Sequence, residues 1–266
     1  MTAVPPTPAP EAEPAAPPKP PNNWIGIAVL AAFVACGGAL MKPDAPHVVV
    51  FAFVMLGWTL SVMAHEFCHA LVAYLGGDWT VRPKGYLAFD PRRYGDLGTS
   101  LVLPLIFLAL GGIGFPGGAV WLNTRLIRGP FWRAASALAG PAATLVVLLA
   151  LAFALRLWLT GGVEGPLFPA LAFLAFLQAT ALILNLLPIP GLDGFGAIRP
   201  FLPAGLAPHI RKAEGLVIVG LLLVIFVIPG ASAGLFRTAA RLSLGLGLDL
   251  DALQAGWRAF HFWQRS

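Results

Sequence analysis

Two histidines and a glutamate occupy a five-residue stretch, His65 to His69, inside an apolar run, 48–75, that is long enough to cross a bilayer. In a helix, residues four apart lie on one face about 6 Å from each other, so His65 and His69 can bind one metal ion. Glu66 is turned about 100° from His65 and lies beside such an ion. There it can take a proton from a water molecule and later pass it to a leaving amine.

This stretch favours a catalytic metal site. Two imidazoles, one carboxylate and one open position are a donor set of zinc enzymes, whereas structural zinc sites fill all four positions with protein ligands. A chance match is the alternative, but it would have to fall inside a transmembrane helix, from which charges are largely excluded. The motif therefore predicts one Zn²⁺ per chain and hydrolytic chemistry, with Glu66 as the general base.

The rest of the chain is typical of a membrane protein. Apolar residues make up 58% of the 266 residues and charged residues 11%, against about 25% charged in globular proteins. Long uncharged stretches cover 24–41, 48–64, 99–122, 134–155, 167–189 and 216–236. The sequence predicts an all-α polytopic membrane protein with five to six transmembrane helices. The net charge of +5 is carried by short loops, so nucleic acid is not an expected partner.

A third metal ligand is expected where an apolar helix is broken around a single carboxylate. From Asn185 to Gly194 the chain reads NLLPIPGLDG. Such a break leaves backbone groups unpaired, which membranes tolerate only inside protein or beside water. Asp193 is therefore the best candidate for the third ligand, with helix-end punctuation as its alternative role. Asn185 could bond a substrate backbone or a ligand carboxylate, or make a structural hydrogen bond between helices.

The positions of these residues constrain the topology. His65 and Asp193 both lie near the exit ends of their apolar segments, so the two helices must run in the same direction for the residues to meet. An odd number of crossings must then separate them, yet two apolar segments intervene, 99–122 and 134–155. The first contains Gly111-Gly112, Gly114, Pro116 and Gly117-Gly118. We expect this glycine-rich segment to be re-entrant.

Loop charge supports the same arrangement. If 99–122 is re-entrant, ten basic residues lie on one side of the membrane, whereas Lys42 and Arg156 lie opposite: Arg82, Lys84, Arg92, Arg93, Arg125, Arg128, Arg133, Arg199, Arg211 and Lys212. Because positive loops stay inside, the crowded side is cytoplasmic. The chain is expected in a bacterial cytoplasmic membrane, with the metal nearer the cytoplasmic face.

Three parts of the chain are distinguished. Residues 1–22 contain nine prolines and are expected to form a disordered tail. A membrane-embedded domain covers 23–236. Residues 237–266 place arginines among leucines and aromatics, which suits an interfacial tail or packing against the bundle. Within the domain, 78–89 alternates weakly and predicts a short strand pair, followed by a turn at Asp90-Pro91.

The motifs together resemble the site-2 protease family, intramembrane metalloproteases that cut transmembrane or membrane-adjacent segments of their substrates. The resemblance covers roughly 58–200. Besides the His65–His69 motif, the run from Asn185 to Gly194 looks like the second family signature, whose Asp is a zinc ligand, and Ala139-Gly140-Pro141 looks like its intervening turn. Gly77-Asp78, 96–99 and 103–105 are similar to the short bacterial branch without a PDZ domain.

The resemblance implies a transmembrane protein or peptide as substrate, with the lipid bilayer as surroundings; it leaves the oligomeric state open. It also implies substrate-binding or site-supporting roles for Asn185, Asn123, Gly140 and Pro141. The chain departs from the family pattern in three places. Thr144 stands where an Asn is usual, 119–122 replaces a segment rich in lysine and proline before Asn123, and Tyr94 stands where the branch has a histidine.

Two other classes of function remain as alternatives. A metal-ion transporter would usually show inverted repeats and a chain of polar residues across the membrane, and neither is visible. A non-catalytic scaffold could retain zinc, although Glu66 argues against it. The sequence thus favours an intramembrane zinc metalloprotease that hydrolyses a peptide bond within or next to a transmembrane segment.

Overall fold

Helices dominate the computed structural model, which describes residues 23–94, 98, 102–111, 120–159, 165–228 and 230–264. Nine α-helices lie within these ranges: α1 Trp24–Ala39, α2 His47–Leu75, α3 Leu103–Gly111, α4 Gly129–Leu159, α5 Leu167–Asn185, α6 Asp193–Ile198, α7 Ala207–Val227, α8 Ala233–Gly245 and α9 Leu250–Phe260. Short 3-10 turns cover Trp79–Val81, Pro91–Arg93, Arg199–Phe201, Ala204–Leu206 and Phe262–Gln264. The all-α class is therefore confirmed for the described residues.

Three helices are long and apolar enough to cross a membrane. They correspond to α2, to α4 over Gly129–Leu157, and to α5, whose most apolar part is 83% buried inside the protein. Two shorter apolar helices, Trp24–Ala39 and Ala213–Ile225, accompany them. Because α5 carries apolar residues on every side, it can be surrounded by other helices, and it forms the centre of the main core.

Contacts along α2 and α5 show that the two helices are parallel. A β-carbon at Gly57 would meet the side chain of Leu174. One turn further along both helices, Gln178 donates a hydrogen bond to Ser61. The predicted parallel arrangement is confirmed, since both helices advance toward the same end of the bundle.

Helix α4 runs antiparallel to both. His65 lies beside Thr144, whereas His69, one turn later on α2, lies beside Ser136, two turns earlier on α4. The backbone N–H of Arg128, just before α4, donates to the carbonyl of Gly76, just after α2 (2.8 Å). The connection 77–127 therefore leaves and returns at one end of the bundle. Most of the glycine-rich part predicted to be re-entrant, 112–118, lies outside the described residues.

The predicted strand pair in 78–89 is wrong. Backbone N–H groups in this stretch donate to carbonyls two to five residues earlier, as Gly85 does to Arg82 and Tyr86 to Val81. The Asp78 carboxylate caps the 3-10 turn by accepting from the N–H of Thr80. Local turn bonds take up most of the backbone donors that a cross-strand ladder would need. The turn expected at Asp90-Pro91 is confirmed, because Asp90 caps the 3-10 turn Pro91–Arg93.

The C-terminal helices pack at the end of the bundle opposite to the His65 motif. Phe260 of α9 stacks on Phe51 near the start of α2, with ring centroids 5.0 Å apart, and contacts Phe173 in the first half of α5. Gly256 faces the backbone of Pro169, where a β-carbon would overlap it. One face of α9 is thus buried, and the domain boundary at 236 stays a prediction.

Candidate metal centre

Two turns of α2 carry the predicted metal ligands. His65 and His69 are buried, at 8% and 6% exposure, and both direct Nε2 toward the same point, with 3.0 Å between the two atoms. The i, i+4 spacing of a regular helix accounts for this arrangement. Two buried imidazole nitrogens at this separation are stabilised by a proton, a cation or an acidic partner that they share.

Asp193 supplies that partner from another element. The break after α5 returns the chain to α2, so that Asp193 becomes the first residue of α6. Its Oδ2 lies 3.1 Å from Nε2 of His65 and its Oδ1 lies 3.4 Å from Nε2 of His69. Asp193 does lie at a helix end, which was its alternative predicted role, but its carboxylate faces both histidines.

The three donor atoms fit zinc. Tetrahedral zinc with bonds of about 2.0–2.2 Å separates its N and O ligands by about 3.3 Å. The separations between His65, His69 and Asp193 are 3.0, 3.1 and 3.4 Å. Within the described part of the chain, this trio is also the cluster of histidine and carboxylate side chains close enough to hold one metal ion.

Helix α4 holds both imidazoles by their other nitrogens. Nδ1 of His65 lies 2.9 Å from Oγ1 of Thr144, and Nδ1 of His69 donates to the carbonyl of Ser136 (2.7 Å). A carbonyl only accepts, so Nδ1 of His69 carries the proton and Nε2 is free to ligate. Partners of this kind fix ring orientation and raise the basicity of metal-binding histidines.

Gly140 lies between these two contacts on α4. A β-carbon there would overlap Nε2 of His69 and stand 2.5 Å from Nε2 of His65. The absence of a side chain therefore leaves the space in which the two nitrogens converge. Pro141 follows inside α4 and has no N–H for the helix ladder, which leaves the carbonyl of Ala137 without its helical donor.

Glu66 projects from α2 beside the ligand cluster. Its side chain is 2% exposed, and Oε2 accepts from the backbone N–H of Val120 (3.3 Å). Both imidazoles and the Asp193 carboxylate lie within electrostatic reach of this carboxylate. Glu66 is buried next to the three ligands but does not belong to the group that converges on one point. A carboxylate in this position suits a proton carrier rather than a fourth ligand.

The loop after α2 is tied down next to Glu66. The fully buried Asp78 accepts from the backbone N–H of Asn123 (2.6 Å) through Oδ2 and from Thr80 through Oδ1. This bond holds the chain from Val120 to Asn123 against the end of α2. Asn123 itself is exposed, and its side chain accepts from the N–H of Arg125 (3.3 Å). Its predicted role at the site stays a prediction.

Two further groups in this loop have shifted pKa values. The hydrogen bonds from Arg92 hold the pKa of Asp90 below its usual value. Burial raises the pKa of Tyr94, and the negative charge of Glu66 adds to the effect. The Tyr94 hydroxyl donates to the carbonyl of Ala88 (2.7 Å). Tyr94 is therefore a neutral phenol that braces the loop.

Asn185 is buried at the end of α5 and lines a small cavity beside His65. Among the described residues, no hydrogen bond joins its amide to Asp193 or to another helix. Neither a ligand-carboxylate bond nor a bond between helices is therefore observed, and its role stays a prediction.

Sequence reasoning missed the part played by α4. The carbonyl of Ser136 and the hydroxyl of Thr144 hold the two histidines, and Thr144 was noted only as a departure from a family pattern. A signal was present: Ser136, Gly140 and Thr144 recur every four residues in a largely apolar helix. This spacing brings small and polar residues onto one helix face.

Comparison with known proteins identifies clear relatives. The chain is 40% identical over 241 residues to a Mycobacterium tuberculosis protein named "Putative zinc metalloprotease Rip2", and the match covers 88% of this chain and 92% of the relative. The Mycolicibacterium smegmatis protein of the same name is 39% identical, with 87% and 91% covered. "Putative zinc metalloprotease YwhC" of Bacillus subtilis is 29% identical, with 66% and 81% covered. No family model matches the chain, and no solved structure matches significantly.

Proposed function

The chain belongs to the site-2 protease family of zinc metalloproteases, and on this premise we propose that it hydrolyses a peptide bond within or next to a transmembrane segment of a membrane protein. One observation carries the proposal. The ligating atoms of His65, His69 and Asp193 lie 3.0 to 3.4 Å apart, with the buried carboxylate of Glu66 beside them.

In this proposal His65, His69 and Asp193 hold one zinc ion, which lowers the pKa of water and polarises a carbonyl. Glu66 accepts a proton from the attacking water and delivers it to the leaving amine. The low exposure of Glu66 supports this role, because proton transfer within a dry site does not compete with bulk water. Asp193 is the most open member of the trio, with 24% of its side chain exposed, so water can approach from its side.

The helix directions support a five-crossing topology. α1 starts beside Phe89 near the metal end, where Phe89 donates to Asn23, and ends where Leu40 meets Leu167 at the opposite end. Glu214 and Ile218 of α7 lie beside Gly191 at the metal end, and Ile225, further along α7, packs on Leu184 of α5. Together with α2, α4 and α5, these directions support five alternating crossings, and the proposal keeps 99–122 as a segment that returns to its own side.

The orientation follows from charge. Ten of the basic residues in loops and helix ends belong to the metal end, and five belong to the opposite end: Lys42, Arg156, Arg237, Arg241 and Arg258. We therefore infer a cytoplasmic metal end, with α8 and α9 on the outer side of a bacterial membrane. The substrate is a protein segment that reaches the metal from within the bilayer.

The test compares wild type with Glu66→Gln in proteoliposomes that contain a set of single-span peptides. We expect wild type to cleave at least one peptide and Glu66→Gln to lose about 10²- to 10⁴-fold in rate, since general acid–base catalysis contributes this much. Both proteins should retain one zinc per chain by elemental analysis. Glu214→Gln on α7 is the matched control and should cleave normally.

The same vesicles separate the alternatives. A transporter would take up zinc in wild type and in Glu66→Gln alike, and a scaffold would cleave nothing. Cleavage that persists in Glu66→Gln would show that another group carries the proton, and the assignment of Glu66 would be wrong.

A further inference from the structure

A small cavity lies between α2, α4 and α5, directly beside His65. Its volume is about 20 Å³, which is room for a single water molecule. Val62 and Ala181 contribute apolar wall, and the remaining lining is polar: Trp58, Ser61, His65, Thr144, Gln178 and Asn185. Six polar side chains around so small a space are unusual in the interior of an apolar helix bundle.

Two of these side chains have all their bonds within the protein. Ser61 donates to the carbonyl of Gly57 (2.8 Å) and accepts from Nε2 of Gln178 (3.0 Å). His65 uses Nδ1 toward Thr144 and directs Nε2 toward Asp193. Neither group therefore offers a free donor to the cavity.

Trp58 and Thr144 each have a hydrogen-bond donor without a partner in the described ranges. The indole N–H of Trp58 is buried and has no hydrogen-bond partner in the described ranges. Ligation through Nε2 puts the proton of His65 on Nδ1, so Thr144 accepts that bond and its own hydroxyl proton still needs an acceptor. Buried donors without partners destabilise a protein interior, and more so in hydrocarbon.

Two acceptors are left over as well. Gln178 uses its Nε2 toward Ser61, which leaves Oε1 as an acceptor. The Asn185 amide, for which no bond is found among the described residues, adds a second acceptor oxygen and carries two N–H groups of its own. The side chains around the cavity thus include the donors of Trp58 and Thr144 and the acceptors of Gln178 and Asn185, all without a protein partner in the described ranges.

We propose that this cavity binds one ordered water molecule, which accepts from Trp58 and Thr144 and donates to Gln178 and Asn185. A water offers two acceptor and two donor bonds, so a single molecule can bond to these four groups. The water joins α2, α4 and α5, the three helices that carry or hold the metal ligands. It lies on the Thr144 side of His65 and braces the hydroxyl that orients this imidazole.

The test detects the water directly and does not depend on protease activity. The full chain is labelled with ¹⁵N at the tryptophan indoles and dissolved in deuterated detergent. The Trp58 indole signal is identified among the eight tryptophans by its loss in Trp58→Phe. We expect a cross-peak from this indole proton to water, with the sign of a long-lived complex. The exposed Trp79 is the matched control and should show only short-lived contacts with water.

Ala181→Val adds two methyl groups to the cavity wall and should remove the Trp58 cross-peak while helix content and zinc content are kept. A wild-type Trp58 indole without a long-lived water cross-peak would overturn the proposal. So would a cross-peak of unchanged intensity in folded Ala181→Val. If Ala181→Val does not fold, the wild-type spectrum decides by itself.

Discussion

Gly140 on α4 lies so close to His69 on α2 that a β-carbon at position 140 would overlap Nε2 of the ring. The same β-carbon would stand 2.5 Å from Nε2 of His65. Helix α2 thus supplies the two histidine ligands, and α4 leaves room for them to converge because Gly140 has no side chain.

Gly140→Ala should therefore abolish zinc binding while leaving the helices intact. The added methyl group fills the space in which the two Nε2 atoms meet, and α4 cannot move away without losing the bonds from His65 and His69. Zinc per chain, measured by elemental analysis, should fall from one to near zero. Gly38→Ala in α1 is the matched control, since its β-carbon meets nothing within 4 Å. Full zinc content in Gly140→Ala would contradict the predicted position of the ion.

Thr144→Val should weaken zinc binding about 10- to 100-fold, the usual effect of removing a group that orients a metal ligand. Valine keeps the shape of threonine but cannot accept the proton of His65 at Nδ1. Competition with a chromogenic chelator measures the affinity. Thr144→Ser, which keeps the hydroxyl, should bind zinc nearly as wild type does.

Thr180→Val controls for the loss of a buried hydroxyl in general, because among the described residues Thr180 donates only to the carbonyl of Leu177 in its own helix. Equal losses of affinity in Thr144→Val and Thr180→Val would show that the effect on zinc does not pass through His65.

Removal of zinc should destabilise wild type but not Asp193→Ala. A ligand that binds only the folded state stabilises it by about 2.7 kcal/mol at a hundredfold excess over Kd. Chelator should therefore lower the midpoint of thermal unfolding of wild type in detergent. In Asp193→Ala the third ligand is gone, so the midpoint should no longer respond to chelator. Asp251→Ala on α9 removes an exposed carboxylate at the opposite end and should respond as wild type does. An undiminished response in Asp193→Ala would place the third ligand elsewhere.

The two ends of the bundle should face opposite sides of the membrane. Arg125→Cys lies in the connection at the metal end and Gln254→Cys lies on the exposed face of α9, both introduced after Cys36 and Cys68 are replaced by alanine. A maleimide that cannot cross membranes should label Gln254→Cys in intact cells and Arg125→Cys only after lysis. Labelling of Arg125→Cys in intact cells would reverse the orientation inferred from loop charge.

The sequence alone determined those features that depend on local periodicity and composition. The helical membrane class follows from long uncharged stretches, and the pairing of His65 with His69 follows from a spacing of four residues. Asp193 could be singled out because membrane segments contain almost no other carboxylates. The parallel direction of α2 and α5 followed from requiring these residues to meet.

Only the tertiary structure decided what surrounds the ligands. The contacts of Thr144 and Ser136 with α2 join residues 79 and 67 positions apart, and no local period encodes them. In the stretch 78–89 the local pattern was misleading. Its weak alternation predicted strands, yet carboxylate caps and local turns bond its backbone. Spacing along a helix is intrinsic to the chain, whereas which face of α4 meets which face of α2 depends on how all the helices pack together.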